Sequence, residues 1–329
     1  MPWVHYHPFK KQIQQKKDQK NQQDLTLALI EKLPQHATSL SIWEAVQTGD
    51  LQAVNYHLAT AENAQRLSNL VDADQGYTLL HSAIMNQENS LDTSRLLLFY
   101  GAEVDIYSGH NVLPIHSVPL YCPDPVEHLQ LLIHYGANVN VADGDYWTPL
   151  HYVVRFTKQP LEAMRLLVRH GAKVNAQDIS LKTPAFCLLA NGDYAKELEW
   201  LITNGASPYI NGLLLDSTTG IARSGSLVVQ AAKYFRVACI TWLLIQFKWS
   251  DNDIEHAIYT ANTQLGRYGY QTIEKDIQQH MPMDKTEAAA RATVQALRHY
   301  LKSRDMTPSA VNRRTLMARK ISLKLLNRA

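Results

Sequence analysis

Apolar positions along the middle of the chain come in short bursts, and the bursts recur at a fixed interval. Leu96-Leu97-Leu98, Leu131-Leu132-Ile133, Leu166-Leu167-Val168 and Trp200-Leu201-Ile202 follow one another at steps of 35, 35 and 34 residues. Three to five residues after each burst comes a small-residue tag: Gly101-Ala102-Glu103-Val104-Asp105, Gly136-Ala137-Asn138-Val139-Asn140, Gly171-Ala172-Lys173-Val174-Asn175 and the weaker Gly205-Ala206-Ser207. Ahead of each burst stands a tetrapeptide, TLLH at Thr78, LPIH at Leu113, TPLH at Thr148 and TPAF at Thr183, each 35 residues after the last. A Thr at a helix start can cap free N–H groups, a Pro in the first turn sacrifices no bond, and a Gly after the last turn can take positive φ. The unit this predicts is helix, tight turn, helix, hairpin loop.

These landmarks resemble the ankyrin-repeat family, whose T-P-L-H and G-A-x-V-N signatures stand here as Thr148-Pro149-Leu150-His151 and Gly171-Ala172-Lys173-Val174-Asn175. The resemblance covers roughly residues 40–210. Its slightly long period places insertions between the paired helices, at Gln87–Asp92, Cys122–Val126 and Thr157–Pro160. Leu113 in place of Thr and Phe186 in place of His leave the capping of the second and fourth units open. The resemblance implies an all-α solenoid that recognises a protein partner along a concave groove. On the family's pattern, the hairpin residue before the tetrapeptide and the fourth and fifth residues after its His face that groove. Those positions are Tyr77, Met85 and Asn86; Val112, Leu120 and Tyr121; Trp147, Arg155 and Phe156; Lys182, Ala190 and Asn191. Aromatic residues and Arg are enriched in interface hot spots, although Tyr121 and Phe156 could equally tuck under the insertions.

The flanks read differently. Residues 1–24 hold six glutamines between Gln12 and Gln23 and five lysines between Lys10 and Lys20, too polar for a core of their own. From Asp24, a cap candidate, Leu25, Leu29 and Leu33 predict a helix that ends at Pro34 and covers the first repeat. Ile42–Val54 reads as an atypical opening helix pair, followed by a long connection from Thr60 to Val71. Leu227–Phe235 and Val237–Phe247 predict a degenerate last repeat. Beyond it, helices are expected from Ser250, from a capping box at Asp284 and Glu287, and from about Pro308 to the end, with a loop at Gly266–Gly269.

Bulk properties narrow the function class. The 329 residues are 46% hydrophobic, enough for a sizeable core, and no apolar run approaches the roughly 20 residues of a membrane span. The N-terminus lacks the apolar stretch of a secretory signal, so a cytoplasmic location is expected. Cys122, Cys187 and Cys239 are too dispersed for a disulfide framework or zinc ribbon. The net charge of +2 is uneven: from Lys285 onward eleven Lys or Arg face only Glu287 and Asp305, a local +9 that leaves −7 elsewhere.

No motif carries chemistry. Ser224-Gly225-Ser226 lacks the spacing and the Lys of a phosphate loop. His81, His116 and His151 recur one repeat apart, a separation of about 10 Å that suits hydrogen bonding of helix starts and not a shared metal. His5 and His7 form no convincing metal clasp, and Cys187 in register with His151 does not make a nucleophile and base. The expectation is therefore a non-enzymatic, cofactor-free and metal-free chain, built from a polar tail and capping helix (1–38), ankyrin repeats (39–210), a degenerate repeat (211–250) and a basic helical domain (251–329). The alternative reading makes the array a targeting arm for a small catalytic or membrane-directed C-terminal module. Nucleic acid is disfavoured because no aromatic residue follows Tyr300, while a membrane surface remains an alternative for the basic end. The style of the chain also resembles effectors that intracellular bacteria deliver into host cytoplasm to act on a host protein.

Overall fold

The computed structural model describes residues 20–33, 37–86, 88–216, 219–266 and 283–304. The expectations for His5 and His7, for most of the Gly266–Gly269 loop and for a helix from Pro308 lie outside these residues. The described residues are mostly helical, with one short pair of strands. The chain divides between Ile179 and Ser180 into two compact units, a boundary inside the stretch read above as one block.

The first unit holds α1 (20–30), α2 (Ile42–Thr48), α3 (Leu51–Thr60), a short α4 (Ala64–Ser68), and three helix pairs: α5 (Leu79–Met85) with α6 (Ser90–Phe99), α7 (Pro114–Tyr121) with α8 (Val126–His134), and α9 (Pro149–Phe156) with α10 (Leu161–Arg169). Helix α1 is already formed at residue 20, so Asp24 lies inside it and does not cap it; Leu25 and Leu27 face solvent at 44% and 47% exposure. The Thr60–Val71 connection contains α4, which no apolar period announced.

Each pair begins where its side chains can close the first turn. Ser41 and Glu44 form a reciprocal box at α2, with Ser41 N–H on Glu44 Oε2 at 2.8 Å and Glu44 N–H on Ser41 Oγ at 3.2 Å. In the regular units the returning group is a histidine. The N–H groups of Thr78, Leu113 and Thr148 donate to Nδ1 of His81, His116 and His151 at 3.3, 3.1 and 3.1 Å. Leu113 has no hydroxyl to offer, yet His116 still satisfies its N–H. With Nδ1 accepting, Nε2 carries the proton and reaches the next hairpin: His81 donates to Val112 O at 3.0 Å and His116 to Val141 O at 3.3 Å. Phe186 in the fourth unit makes no such return; it is 1% exposed and fills the core.

Each of the three regular pairs ends on a left-handed glycine. Gly101, Gly136 and Gly171 take φ of 98°, 97° and 93°, and the following N–H turns back five residues, as Ala137 does to Leu132 O at 2.9 Å. Nothing lies within 4 Å of a Cβ built on Gly136 or Gly171, so handedness of the backbone, not room, sets the residue there. The Asn of the tag ties one repeat end to the next: Asn140 donates to Gly171 O at 2.9 Å and accepts from Lys173 N–H at 2.8 Å. Asn69 does the same for Gly101 and Glu103, each at 2.8 Å. Between these ties the Leu bursts pack into the core, with Leu96, Leu97, Leu131, Leu132 and Leu167 no more than 1% exposed.

The second unit opens with α11 (Pro184–Asn191) and α12 (Ala195–Thr203), the fourth helix pair. A two-stranded antiparallel hairpin follows, β1 (Gly212–Leu215) with β2 (Ala222–Gly225), in the register Gly212 to Gly225. The hydrophobic pattern gave no sign of these strands; β1 extends from Leu213 N–H on Ser180 O at 2.7 Å, and Gly225 is buried against Leu214. Then come α13 (Leu227–Lys233) and α14 (Val237–Gln246), α15 (Asp251–Gly266) and α16 (Met283–Arg304). Ser250 caps α15 by accepting Asp253 N–H at 3.0 Å. The side chain of Asp284, expected in a cap, is outside the described residues. Helix α15 packs on α13, and α16 lies across α15 and α14. Tyr300 of α16 accepts Trp249 N–H at 3.0 Å, and Arg304 holds Trp249 O at 2.8 Å and Asp251 at 2.6 Å.

Candidate functional site

Nine of the positions expected to face a partner lie in the first unit and three, Lys182, Ala190 and Asn191, in the second. Leu120, Tyr121 and Phe156 stand at the C-terminal ends of α7 and α9 with 42%, 42% and 43% of their surface open. The spacing of 35 residues that sets the repeats also puts Phe156 in register with Tyr121, and Arg155 with Leu120. Tyr121 and Phe156 do not tuck under the inter-helix connections. Tyr77, Met85, Asn86, Val112, Trp147 and Arg155 are half-buried, as are Lys182, Ala190 and Asn191 within their own unit.

Several of these side chains are already engaged inside the fold. Asn86 donates to Val46 O at 3.1 Å, tying the end of α5 to α2, and accepts Glu88 N–H at 3.1 Å. With Met85 it borders an open groove of about 670 Å³ whose other walls are Gln47, Thr48, Ser82 and Glu88. Tyr77 leans on the rings of His81 and His110 at 5.6 and 5.9 Å, and burial, followed by the nearby Tyr121, pushes its phenol up from the usual range.

Trp147 is the centre of an aromatic cluster. Its ring lies 5.9 Å from His151, 5.6 Å from Tyr152 and 6.1 Å from Phe156, while Tyr152 meets His116 at 5.2 Å. The indole N–H donates to Asp178 at 3.1 Å, and the Tyr152 hydroxyl donates to Asp143 at 2.6 Å. Burial and that carboxylate hold the Tyr152 phenol protonated far above its ordinary range. Arg155 stacks its guanidinium over Phe156 at 5.4 Å. The cluster thus presents an exposed Phe and a cation on a base fixed by Trp147 and Tyr152.

Among the exposed apolar residues that escaped the sequence reading, one lies beside the cluster. Tyr146, next to Trp147, is 62% exposed and has φ of 62°, a left-handed conformation rare for a bulky side chain. The equivalent positions, each 35 residues apart, are Gly76 at 68°, Asn111 at 55° and Leu181 at 58°. Aligning the hairpins on Gly76 shows that this step needs positive φ, and that Tyr146 is held there in spite of its side chain. Asp143 does the holding, accepting Asp145 and Trp147 N–H at 2.9 and 2.8 Å.

Several described groups that could perform chemistry are held inside the fold. His81 is fully buried and its pKa falls to about 4, because burial outweighs the bond to Val112. His128 is depressed to about 4 by burial, and its Nε2 meets Ser90 Oγ at 3.0 Å. The three cysteines are buried and form no disulfide; burial pushes the Cys122 thiol up to about 11 and raises that of Cys239 well above its ordinary value. Among the described residues no group of three His, Cys, Asp or Glu is placed to hold a metal, and no helix is long and apolar enough to cross a membrane.

No curated protein matches the chain. Two family models do: the one for ankyrin repeat matches residues 75–108, and the one for ankyrin repeats in three copies matches residues 121–212. Those spans hold the histidine boxes at Thr78 and Thr148, the left-handed Gly101, Gly136 and Gly171, and the aromatic residues around Trp147, while the Leu113–His116 box falls between them. Together with the helix pairs, they show that residues 75–108 and 121–212 form ankyrin repeats, a scaffold of the kind that serves protein–protein interaction.

Proposed function

We propose that the protein acts by binding and not by catalysis, and that the inner-helix ends of its first unit hold a partner protein. The observation that carries this is the row of Leu120, Tyr121 and Phe156, large apolar side chains left more than two-fifths exposed in register on consecutive repeats. Solvated surface seldom keeps such residues together, and aromatic anchors beside an Arg are the usual composition of an interface centre. Trp147 supports the row from beneath. Its indole bond to Asp178, 6% exposed, makes it a structural member, so its truncation would confound binding with stability.

The test starts from the partner captured by the full chain. In the double variant Tyr121→Ala/Phe156→Ala the melting temperature should fall by a few degrees at most, because both side chains keep more than two-fifths of their surface open although Phe156 also meets Trp147 and Tyr152, and Phe156→Leu, which keeps apolar contact with those rings, checks that the loss of binding is not a loss of folding. The dissociation constant for that partner should rise at least ~30-fold, the scale of a hot-spot loss of about 2 kcal/mol. An unchanged constant would place the interface elsewhere.

A further inference from the structure

The second unit carries a surface that the repeat scaffold does not account for. An open groove of about 630 Å³ runs between α15 and α16, with Asn262 on one wall and Arg291, Gln295, Arg298 and Lys302 on the other. Those four residues fall at i, i+4, i+7 and i+11, one stripe of a helix. From residue 288 to 304, α16 carries four Lys or Arg and no acid.

The balance of partners makes the stripe unusual. Arg304, outside this groove, is engaged by Trp249 and Asp251. Arg298 and Lys302 make no ion pair with any described residue. Among the described residues Arg291 pairs with Glu287, one turn back on the same helix, with both side chains more than half exposed at 74% and 55%. A surface pair of that kind contributes a few tenths of a kcal/mol and exchanges readily for another carboxylate. The acids at the start of α15 do not relieve the charge either, since Asp251 and Glu255 border a separate recess with Leu301 and Arg304.

We propose that this groove binds an acidic peptide segment of a partner protein. At 1.5 Å per residue the cations from Arg291 to Lys302 span roughly 16 Å, about five residues of extended peptide and too long for a single phosphate. The two amides, Asn262 and Gln295, can each donate to and accept from a peptide backbone, a match that phosphodiester oxygens, being acceptors only, do not use. Single-stranded nucleic acid would want aromatic stacking partners, and the lining has none apart from the imidazole of His299. A membrane would want apolar residues to insert, and the one apolar side chain in the lining, Val294, is 8% exposed.

The experiment uses the full chain and a fluorescent peptide of eight alternating Glu and Ala residues, followed by anisotropy. Binding should weaken at least tenfold in Arg298→Glu/Lys302→Glu and several-fold in Asn262→Ala/Gln295→Ala, the second effect being one that charge alone would not produce. It should also fall steeply as salt rises from about 50 to 200 mM, the range over which surface charges become screened. The Tyr121→Ala/Phe156→Ala variant should bind this peptide normally, which separates this groove from the repeat surface. All substituted side chains are exposed or half-exposed, and thermal melts of each variant check that folding is intact. Undiminished binding in the charge-reversal variant, no effect of the amide substitutions, or tighter binding of duplex RNA or of phosphatidylserine vesicles through the same residues would overturn the assignment.

Discussion

The regular repeats of the first unit and the divergent repeat of the second solve one joint with different chemistry. In the first, adjacent repeats are stitched by neutral donors: His81 to Val112 O, His116 to Val141 O, and Asn69 and Asn140 to the glycine ends of the next repeat. In the second, the pair α13 and α14 is locked to α11 by a buried charge. Arg236, 7% exposed, donates to Leu189 O at 2.7 Å and Ala190 O at 3.1 Å and stacks over Tyr234, while Gln230 donates to Phe186 O at 3.0 Å. Asp193 completes the joint by accepting the N–H groups of Ala238 and Cys239, each at 2.9 Å. Where the His at the fourth position gives way to Phe186, the following repeat reaches back to carbonyls of α11, at Phe186, Leu189 and Ala190, and not to the hairpin carbonyls that the histidines pair. The requirement is the same in both, that buried backbone groups be paired, while the donor and the carbonyl it meets change.

That contrast can be broken most severely at Arg236. Arg236→Ala should destabilise the chain by about 3–5 kcal/mol, because two buried carbonyls lose a charged donor with no water to replace it. Urea denaturation at neutral pH measures it. A loss below about 1 kcal/mol would mean that the joint is carried by apolar contacts alone.

Acid should strike the other joint. His81 and His128 sit near 4 in the folded state against an ordinary value of 6.5, so the unfolded chain binds their protons first as pH falls. The sign follows: their contribution is complete above pH 6.5 and is lost as pH drops through about 4, at most about 3 kcal/mol for each. His116 shifts the same way, also through burial. Denaturation midpoints measured from pH 7 to 4 should fall over that window, and the drop should shrink in His81→Gln. A midpoint flat with pH would contradict the neutral-imidazole joint. The smallest effect belongs to Asn140→Ala, which removes two solvent-accessible hydrogen bonds and should shift stability by about 1 kcal/mol. A loss as large as that of Arg236 would erase the distinction drawn between the two joints.

Legibility followed the same division. The helix pairs were readable because every landmark answers to a local backbone need: a histidine three residues after an N-cap, a glycine where φ must be positive, Leu on the inner stripe. The β1–β2 hairpin was not, since Leu213 to Leu215 is too short a run to reveal a strand without its partner across the turn. Asp24 suggested a cap, but capping preference cannot stop a helix already formed upstream. Trp147 was picked out by position in the repeat, while its bond to Asp178 depends on a residue 31 places away. The basic groove was equally hidden: the charge count was plain in the sequence, but its wall from Asn262 exists only once α15 and α16 pack.

The hairpin step occupied by Gly76, Asn111, Tyr146 and Leu181 has a consequence for how such a chain can diversify. Four residues of unrelated size adopt one left-handed conformation there, with φ between 55° and 68°. The loop is therefore a mould cast by its flanking hydrogen bonds, and the occupant contributes strain of roughly 1–3 kcal/mol when it is not glycine, without altering the shape. Its side chain points outward from a frame that does not depend on it. Substitution at this step can rewrite what the surface displays while leaving the repeat register untouched, so recognition can drift at the tips faster than architecture drifts beneath them.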